Sequence, residues 1–170
     1  MIKMLQEADR SALMTFIGTA LIKFAGGIIG IWGTINIYFF SYLKHNGTDI
    51  TPTTNSFILL CVVVPSAFAM LSSTTLSRKF GYKAVIKICA IVFSTVPWVL
   101  HIKLTTLTLS ICYLLIPISC ITIASVPVLN CLWSQFPQHL NKVSGIAVLF
   151  FALGAIVFNL LFTFLANPEN

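Results

Sequence analysis

The side chains of this sequence that could do chemistry are few, and most of them are basic. The 170 residues include ten lysines and arginines, four acids and three histidines. Four of the basic residues lie close together, at Arg78, Lys79, Lys83 and Lys87. Such a cluster can bind an anion, or it can fix the orientation of a membrane segment. A further cation, Lys23, lies inside a long apolar run, where it could bind an anion or extend its ammonium group toward the membrane surface.

Catalytic chemistry is not predicted, because acids, histidines and nucleophiles are not brought together by any recognisable spacing. We therefore expect no enzyme activity, no cofactor and no metal site. The cysteines lack metal-ligand spacing and are interpreted as small apolar packing residues. The acids all lie outside the apolar runs: Glu7, Asp9, Asp49 and Glu169. The cysteines all lie within them: Cys61, Cys89, Cys112, Cys120 and Cys131.

The elements that carry these residues are predicted to be membrane helices. Apolar residues make up 58% of the sequence and charged residues 8%, and the mean hydropathy is +0.97, outside the range of soluble domains. A helix crosses the hydrocarbon layer with ~20 mostly apolar residues. The sequence predicts an all-α, polytopic membrane bundle, with residues 1–170 forming a single transmembrane domain. Five helices are predicted, at about 12–43, 55–76, 83–102, 106–132 and 144–165.

The distribution of basic residues predicts the topology, because lysine and arginine are enriched on the side that is not translocated. With the N-terminus inside, only Lys44 and Lys103 fall outside. The topology is therefore predicted as N-terminus inside and C-terminus outside, and the sequon Asn46-Gly47-Thr48 falls in an outside loop. The basic cluster falls in an inside loop, and its role as a topology signal would be enough to explain it. The inside face then holds Lys3, Arg10, Arg78, Lys79, Lys83, Lys87 and Lys142.

A stripe of charged, polar and small residues is predicted along the first helix at 100° per residue. We interpret it as a surface that faces a solute or a partner protein. Two simpler interpretations remain open: Lys23 is a snorkelling lysine, and Gly26-x-x-x-Gly30 is a helix-packing motif. The stripe consists of Lys23, Gly27, Gly30, Thr34, Tyr38 and Ser41.

The basic cluster also resembles a known motif. Residues 74–83, TTLSRKFGYK, resemble the signature loop between the second and third transmembrane helices of the major facilitator superfamily, approximately G-x-L-x-D-R-x-G-R-K. Residues 30–43 are similar to the first helix of its oxalate/formate antiporter and monocarboxylate transporter branch. Residues 133–170 resemble that branch from the loop after helix four to the segment beyond helix five. The signature positions depart from the family pattern at Thr74, which replaces the first glycine, and at Arg78, which replaces the acid. They agree with it at Leu76, Lys79, Gly81 and Lys83.

The resemblance implies a twelve-helix transporter with two six-helix halves and a substrate site between them. This sequence corresponds to the first five helices, so we expect a truncated N-terminal half. Arg78 stands where the family has an acid that acts as a conformational latch by pairing with a basic residue. An arginine at this position would repel that basic residue instead of attracting it. In the fifth helix, three family glycines are replaced by Leu149, Phe150 and Ala152, which should fill the groove between helices.

Two functions follow from these expectations. One is a non-catalytic, structural or accessory subunit of a larger membrane protein complex, with other integral membrane proteins and lipids as partners and no nucleic acid. The other is a half-transporter that moves a small carboxylate after pairing with a second copy or another chain. A third possibility is that the sequence is a fragment of a longer reading frame. With no cleavable signal recognised, a mitochondrial inner membrane is favoured over plasma or secretory membranes, whereas the sequon would suit the secretory route.

Overall fold

The computed structural model describes residues 9–45, 52–96, 98 and 110–166. In these ranges the chain is almost entirely helical and contains no strand, so the predicted all-α class is confirmed. The helices are α1 Arg10–Gly26, a 3-10 segment Gly27–Ile31, α2 Trp32–His45, α3 Pro52–Phe80, α4 Tyr82–Thr95, a π-helical turn Ser110–Leu115, α5 Ile116–Gln135, a 3-10 turn Pro137–His139, and α6 Leu140–Ala166.

Three helical segments in the described part of the chain are long and apolar enough to cross a membrane. They have mean hydropathies of 1.8, 1.7 and 2.5 in chain order, and they comprise Arg10–His45, Ile116–Gln135 and Pro137–Leu165. The chain is therefore a helical membrane protein by length and composition. Several predicted features lie outside the described residues. They are the sequon at 46–48, Lys103, the end of the third predicted helix at 99–102, the start of the fourth at 106–109, and residues 1–8 and 167–170.

The first predicted helix, 12–43, differs from the structure. A 3-10 segment, Gly27–Ile31, interrupts it between α1 and α2. Glycine weakens the α-helix because it has more conformational freedom to lose, and Gly27 and Gly30 both fall in this segment. A 3-10 helix turns 120° per residue rather than 100°. The projection that defines the stripe therefore does not continue unchanged through residues 27–31.

The chain forms two compact units, residues 1–31 with 128–170, and residues 32–127. In the first unit, α1 and α6 run parallel. Ala12, early in α1, clusters with Val143 and Ala147, early in α6. Phe24, late in α1, packs on Phe158, late in α6, with ring centroids 5.5 Å apart. The core of this unit consists of Ala12, Leu132, Phe136, Val143 and Ala147.

The second unit has two buried clusters. One joins α2, α3 and the π-helical turn through Trp32, Leu43, Ile58 and Leu114. The other joins α4 to α5 through Val85, Cys89 and Ala124, with Leu76, Cys120 and Ile123 packed against it. A polar tie links α3 to α5, since the Ser73 hydroxyl donates to the Ile123 carbonyl at 2.6 Å. This arrangement holds the α3–α4 junction, which carries the basic cluster.

Candidate functional site

The α3–α4 junction is a tight turn centred on Gly81. The Gly81 amide donates to the Ser77 carbonyl at 3.0 Å, and the Val85 amide donates to the Gly81 carbonyl at 3.3 Å. Gly81 has a φ of 81°, a left-handed conformation that strains residues with a side chain. The predicted loop is therefore a single glycine, and α3 extends to Phe80 rather than ending near residue 76.

The residues of the signature motif divide between a buried and an exposed face. Leu76 packs against the Val85–Cys89–Ala124 cluster, whereas Thr74 and Gly81 are exposed. All four cations of the cluster are exposed. On α4 the buried Val85 and Cys89 are four residues apart, which places them on one helix face. We call the exposed surface formed by Arg78, Lys79, Lys83 and Lys87 the basic turn.

The positive charge of the basic turn is not neutralised by carboxylates in the described part of its unit. Of the four acids in the sequence, only Asp49 belongs to this unit, and it lies outside the described residues. The first turn of α4 contains no acidic residue, and its N-cap, Gly81, offers no side-chain hydrogen bond. The Lys79 ammonium lies 5.5 Å from the centroid of the Phe80 ring, within the range of a cation–π contact.

The part of the stripe that belongs to the first unit contributes to helix packing. Gly27 is buried, and Lys23 is half-buried. A Cβ added at Gly27 would lie 2.6 Å from backbone atoms of Gly154 and Phe151 in α6. A Cβ added at Gly154 would overlap the Phe24 carbonyl. The backbones of α1 and α6 are therefore in direct contact, which requires glycine on both sides.

Gly154 was not among the predicted site residues. The resemblance offered a signal, because the family's fifth helix has the pattern Ser-Gly-x-x-x-Gly-Gly-Phe-Gly-x-Gly, and Gly154 is its last glycine. Phe150 lies toward α1, where it lines a narrow apolar crevice that has no room for a water molecule. Leu149 and Ala152 are exposed, so two of the three replacements do not fill the α1–α6 groove as expected.

The crevice beside Phe150 is too narrow to hold an anion and has little that could bind one. Its only hydroxyl comes from Thr19, which donates to the Thr15 carbonyl at 2.8 Å, and no lining residue is charged. The lining residues are Phe16, Thr19, Ala20, Leu132, Val143, Ile146, Ala147 and Phe150.

The remaining stripe residues lie on α2 in the second unit. Thr34 and Tyr38 are half-buried, and Ser41 is exposed. Their partial exposure is compatible with contact to a solute, lipid or protein, and the role of the stripe stays a prediction. Asn159 on α6 is another residue that was not among the predicted site residues. Its buried side-chain Oδ1 accepts no hydrogen bond from the described residues.

Comparison with known proteins identifies no relative of this chain. No family model matches the sequence, and no curated protein or solved structure is detectably similar to it. The functional interpretation therefore depends on the motifs in the sequence and on the geometry of these two regions.

Proposed function

We propose that this chain is a non-catalytic membrane protein, derived from a major facilitator transporter, that acts as a structural or accessory subunit of a larger membrane complex. It has five membrane crossings in this proposal. The first is the α1–α2 segment, the second is α3, and the third is a segment whose first part is α4. The fourth is α5, and the fifth is α6. Its N-terminus is inside and its C-terminus outside, and a mitochondrial inner membrane is the favoured location.

The observation that carries the proposal is the backbone contact between α1 and α6. A stripe that lined a solute path would present its small residues to that path. Gly27 is instead buried against Gly154 and Phe151. Close glycine contacts of this kind bring membrane helices together through van der Waals packing. The centre of the stripe therefore has a structural use within the first unit.

The position of Arg78 supports the same function. In the resemblance, an acid at this position latches one half of a transporter to the other. Here the position carries a positive charge, and Lys79 beside it is also exposed. A latch that relies on attraction to a basic partner is lost when its acid becomes a base, since like charges repel. This feature favours a subunit over a transporter.

The first test asks whether the α2 part of the stripe contacts another protein. A photoreactive amino acid at position 34 should form a stoichiometric crosslink to one or a few defined membrane proteins in the native membrane, because a half-buried polar residue in a membrane helix is stabilised by a polar partner. Mass spectrometry of the crosslinked band identifies the partner. The matched control is position 36, which lies about 200° away on the same helix.

The outcome of this experiment separates the two functions. Capture of unrelated membrane proteins at position 34, but not at position 36, supports the subunit. Capture of a second copy of this chain, or of a chain with the other half of a transporter, supports the half-transporter. If only lipid is captured and the protein is monomeric in mild detergent, the subunit proposal is wrong.

The second test restores the family acid. We expect Arg78→Asp to confer no uptake of oxalate, formate or a monocarboxylate on proteoliposomes that contain the purified chain, because the substitution leaves Gly27 packed against α6. Uptake is measured with radiolabelled solutes, and Lys79→Asp serves as a charge-matched control at the neighbouring position. Carboxylate uptake that appears with Arg78→Asp alone would favour the half-transporter.

A further inference from the structure

The basic turn has an excess of positive charge that no carboxylate in the described part of its unit offsets. Lys83 and Lys87 are four residues apart in α4, so they share a helix face and repel each other. Lys83 also lies in the first turn of α4, where the helix dipole disfavours a cation. Arg78 and Lys79 add two more charges from the last turn of α3. The last turn of α3 favours its two cations, but the four charges still repel one another, and an anion bound beside them would reduce that repulsion.

Large aromatic side chains flank the same charges. Phe80 is 57% exposed and Tyr82 is 44% exposed, and both lie next to Gly81 in the tight turn. Aromatic residues with one apolar and one polar environment are typical of the boundary between hydrocarbon and headgroups. A turn with four cations and two exposed aromatic rings therefore has the composition of a surface at the level of lipid phosphates.

The exposed side chains of α3 and α4 also indicate that the basic turn lies at a membrane surface. Further back along α3, Phe68 is 65% exposed and Leu71 is 76% exposed. On α4, Ile88 and Ile91 are 59% and 63% exposed. Apolar side chains this exposed fit a hydrocarbon environment. The polarity thus changes from apolar to basic as both helices approach Gly81.

We propose that the basic turn binds the phosphate groups of anionic phospholipids in the bilayer that holds the chain. Lys83 and Lys87 face the headgroups from α4, Arg78 and Lys79 from α3, and Phe80 and Tyr82 lie at the boundary with the hydrocarbon. Juxtamembrane basic residues gain affinity for anionic leaflets through such contacts, and the interaction weakens with salt. The inference does not depend on whether the chain is an accessory subunit, because it requires only that this turn lies at a membrane surface.

The first experiment measures binding of phosphatidylglycerol to the full chain in mild detergent by native mass spectrometry. Lys83→Gln with Lys87→Gln is expected to weaken binding about 25-fold, at about fivefold for each cation removed. The matched control is Lys44→Gln with Lys142→Gln, which removes two exposed cations elsewhere and should change the affinity less than twofold. Lys83→Arg with Lys87→Arg should retain the affinity of the native chain.

A second experiment uses the native chain, so it does not depend on the folding of a variant. The protein is placed in nanodiscs of phosphatidylglycerol or of phosphatidylcholine and is treated with a lysine-acetylating reagent. Phosphatidylglycerol is expected to slow modification of Lys79, Lys83 and Lys87 about tenfold, with little effect on Lys44 and Lys142. Added salt should restore the reactivity.

Several outcomes would overturn the proposal. Equal loss of affinity in the two double glutamine variants would mean that the lipid responds only to net charge. Equal lysine reactivity in the two kinds of nanodisc would mean that the basic turn does not contact anionic headgroups. Equal protection by soluble glycerophosphate in phosphatidylcholine nanodiscs would mean that the turn binds free phosphate rather than the bilayer.

Discussion

Replacement of Gly154 by alanine is expected to destabilise the chain more than any other single methyl group added to α6. The new Cβ would overlap the Phe24 carbonyl, and a backbone atom cannot be displaced as the end of a flexible side chain can. The two helices must therefore separate, and the contacts around Gly27 are lost with them. We expect a loss of about 1–3 kcal/mol, typical of overpacked sites, and more for Gly154→Leu.

Gly145→Ala is the matched control, because Gly145 lies on the same helix and has no atom within 4 Å of an added Cβ. Alanine there should be neutral or slightly stabilising, as alanine is the better helix former. Thermal unfolding of the three proteins in one detergent measures the difference. Equal stability of Gly154→Ala and Gly145→Ala would contradict the close contact between α1 and α6.

Gly27 tests whether the two glycines belong to one contact. Gly27→Ala alone should also destabilise, since its Cβ would lie 2.6 Å from backbone atoms of α6. The double substitution should then cost less than the sum of the two, because helices already separated by one methyl group accommodate the second. Strict additivity would indicate two independent sites.

The sequence predicted the environment of the helices better than their internal geometry. A high apolar content and long uncharged runs are sufficient to predict membrane helices, because the backbone must satisfy its hydrogen bonds without water. The 3-10 segment at 27–31 was not predictable in the same way. Glycine is compatible with both helical forms there, and the close approach of α6, which comes from a distant part of the sequence, is needed to explain why Gly27 is buried.

The basic turn shows a similar limit. The sequence placed a polar loop near Arg78, because a charged run with a glycine commonly separates membrane helices. Serine, arginine and lysine are nevertheless acceptable helix residues, so α3 continues to Phe80 and Gly81 alone makes the turn. Which cations are exposed depends on the burial of Leu76, Val85 and Cys89 against Ala124, a long-range contact that no local pattern predicts.

The number of membrane crossings can be tested directly at three exposed positions. Parallel packing of α1 and α6 requires an odd number of crossings between them if both span the membrane. If α3, the segment that begins with α4, and α5 all cross, three crossings lie between α1 and α6 and the chain has five in total. If only α5 crosses between them, the chain has three in total. The two topologies differ in where they place Lys79. With five crossings it lies on the same side as Gln138 and opposite Lys44, whereas with three it lies with Lys44 and opposite Gln138.

We expect the five-crossing result, and the reason lies in α3. Its 29 residues span ~43 Å at ~1.5 Å per residue, longer than the ~30 Å hydrocarbon layer. With three crossings this helix would remain outside the bilayer, and Phe68 and Leu71 would face water while 65% and 76% exposed. That exposure costs about 25 cal/mol for each Å² of apolar surface, whereas burial in lipid removes it.

The experiment introduces single cysteines at positions 44, 79 and 138 in a variant without the five native cysteines. These positions are exposed, so a membrane-impermeant maleimide reports only the side on which each one lies. Positions 79 and 138 should be labelled together from one side of sealed vesicles, and position 44 only from the other or after permeabilisation. Labelling of 44 and 79 from the same side, with 138 protected, would support three crossings. The basic turn would then lie on the side opposite to that predicted from the distribution of lysine and arginine.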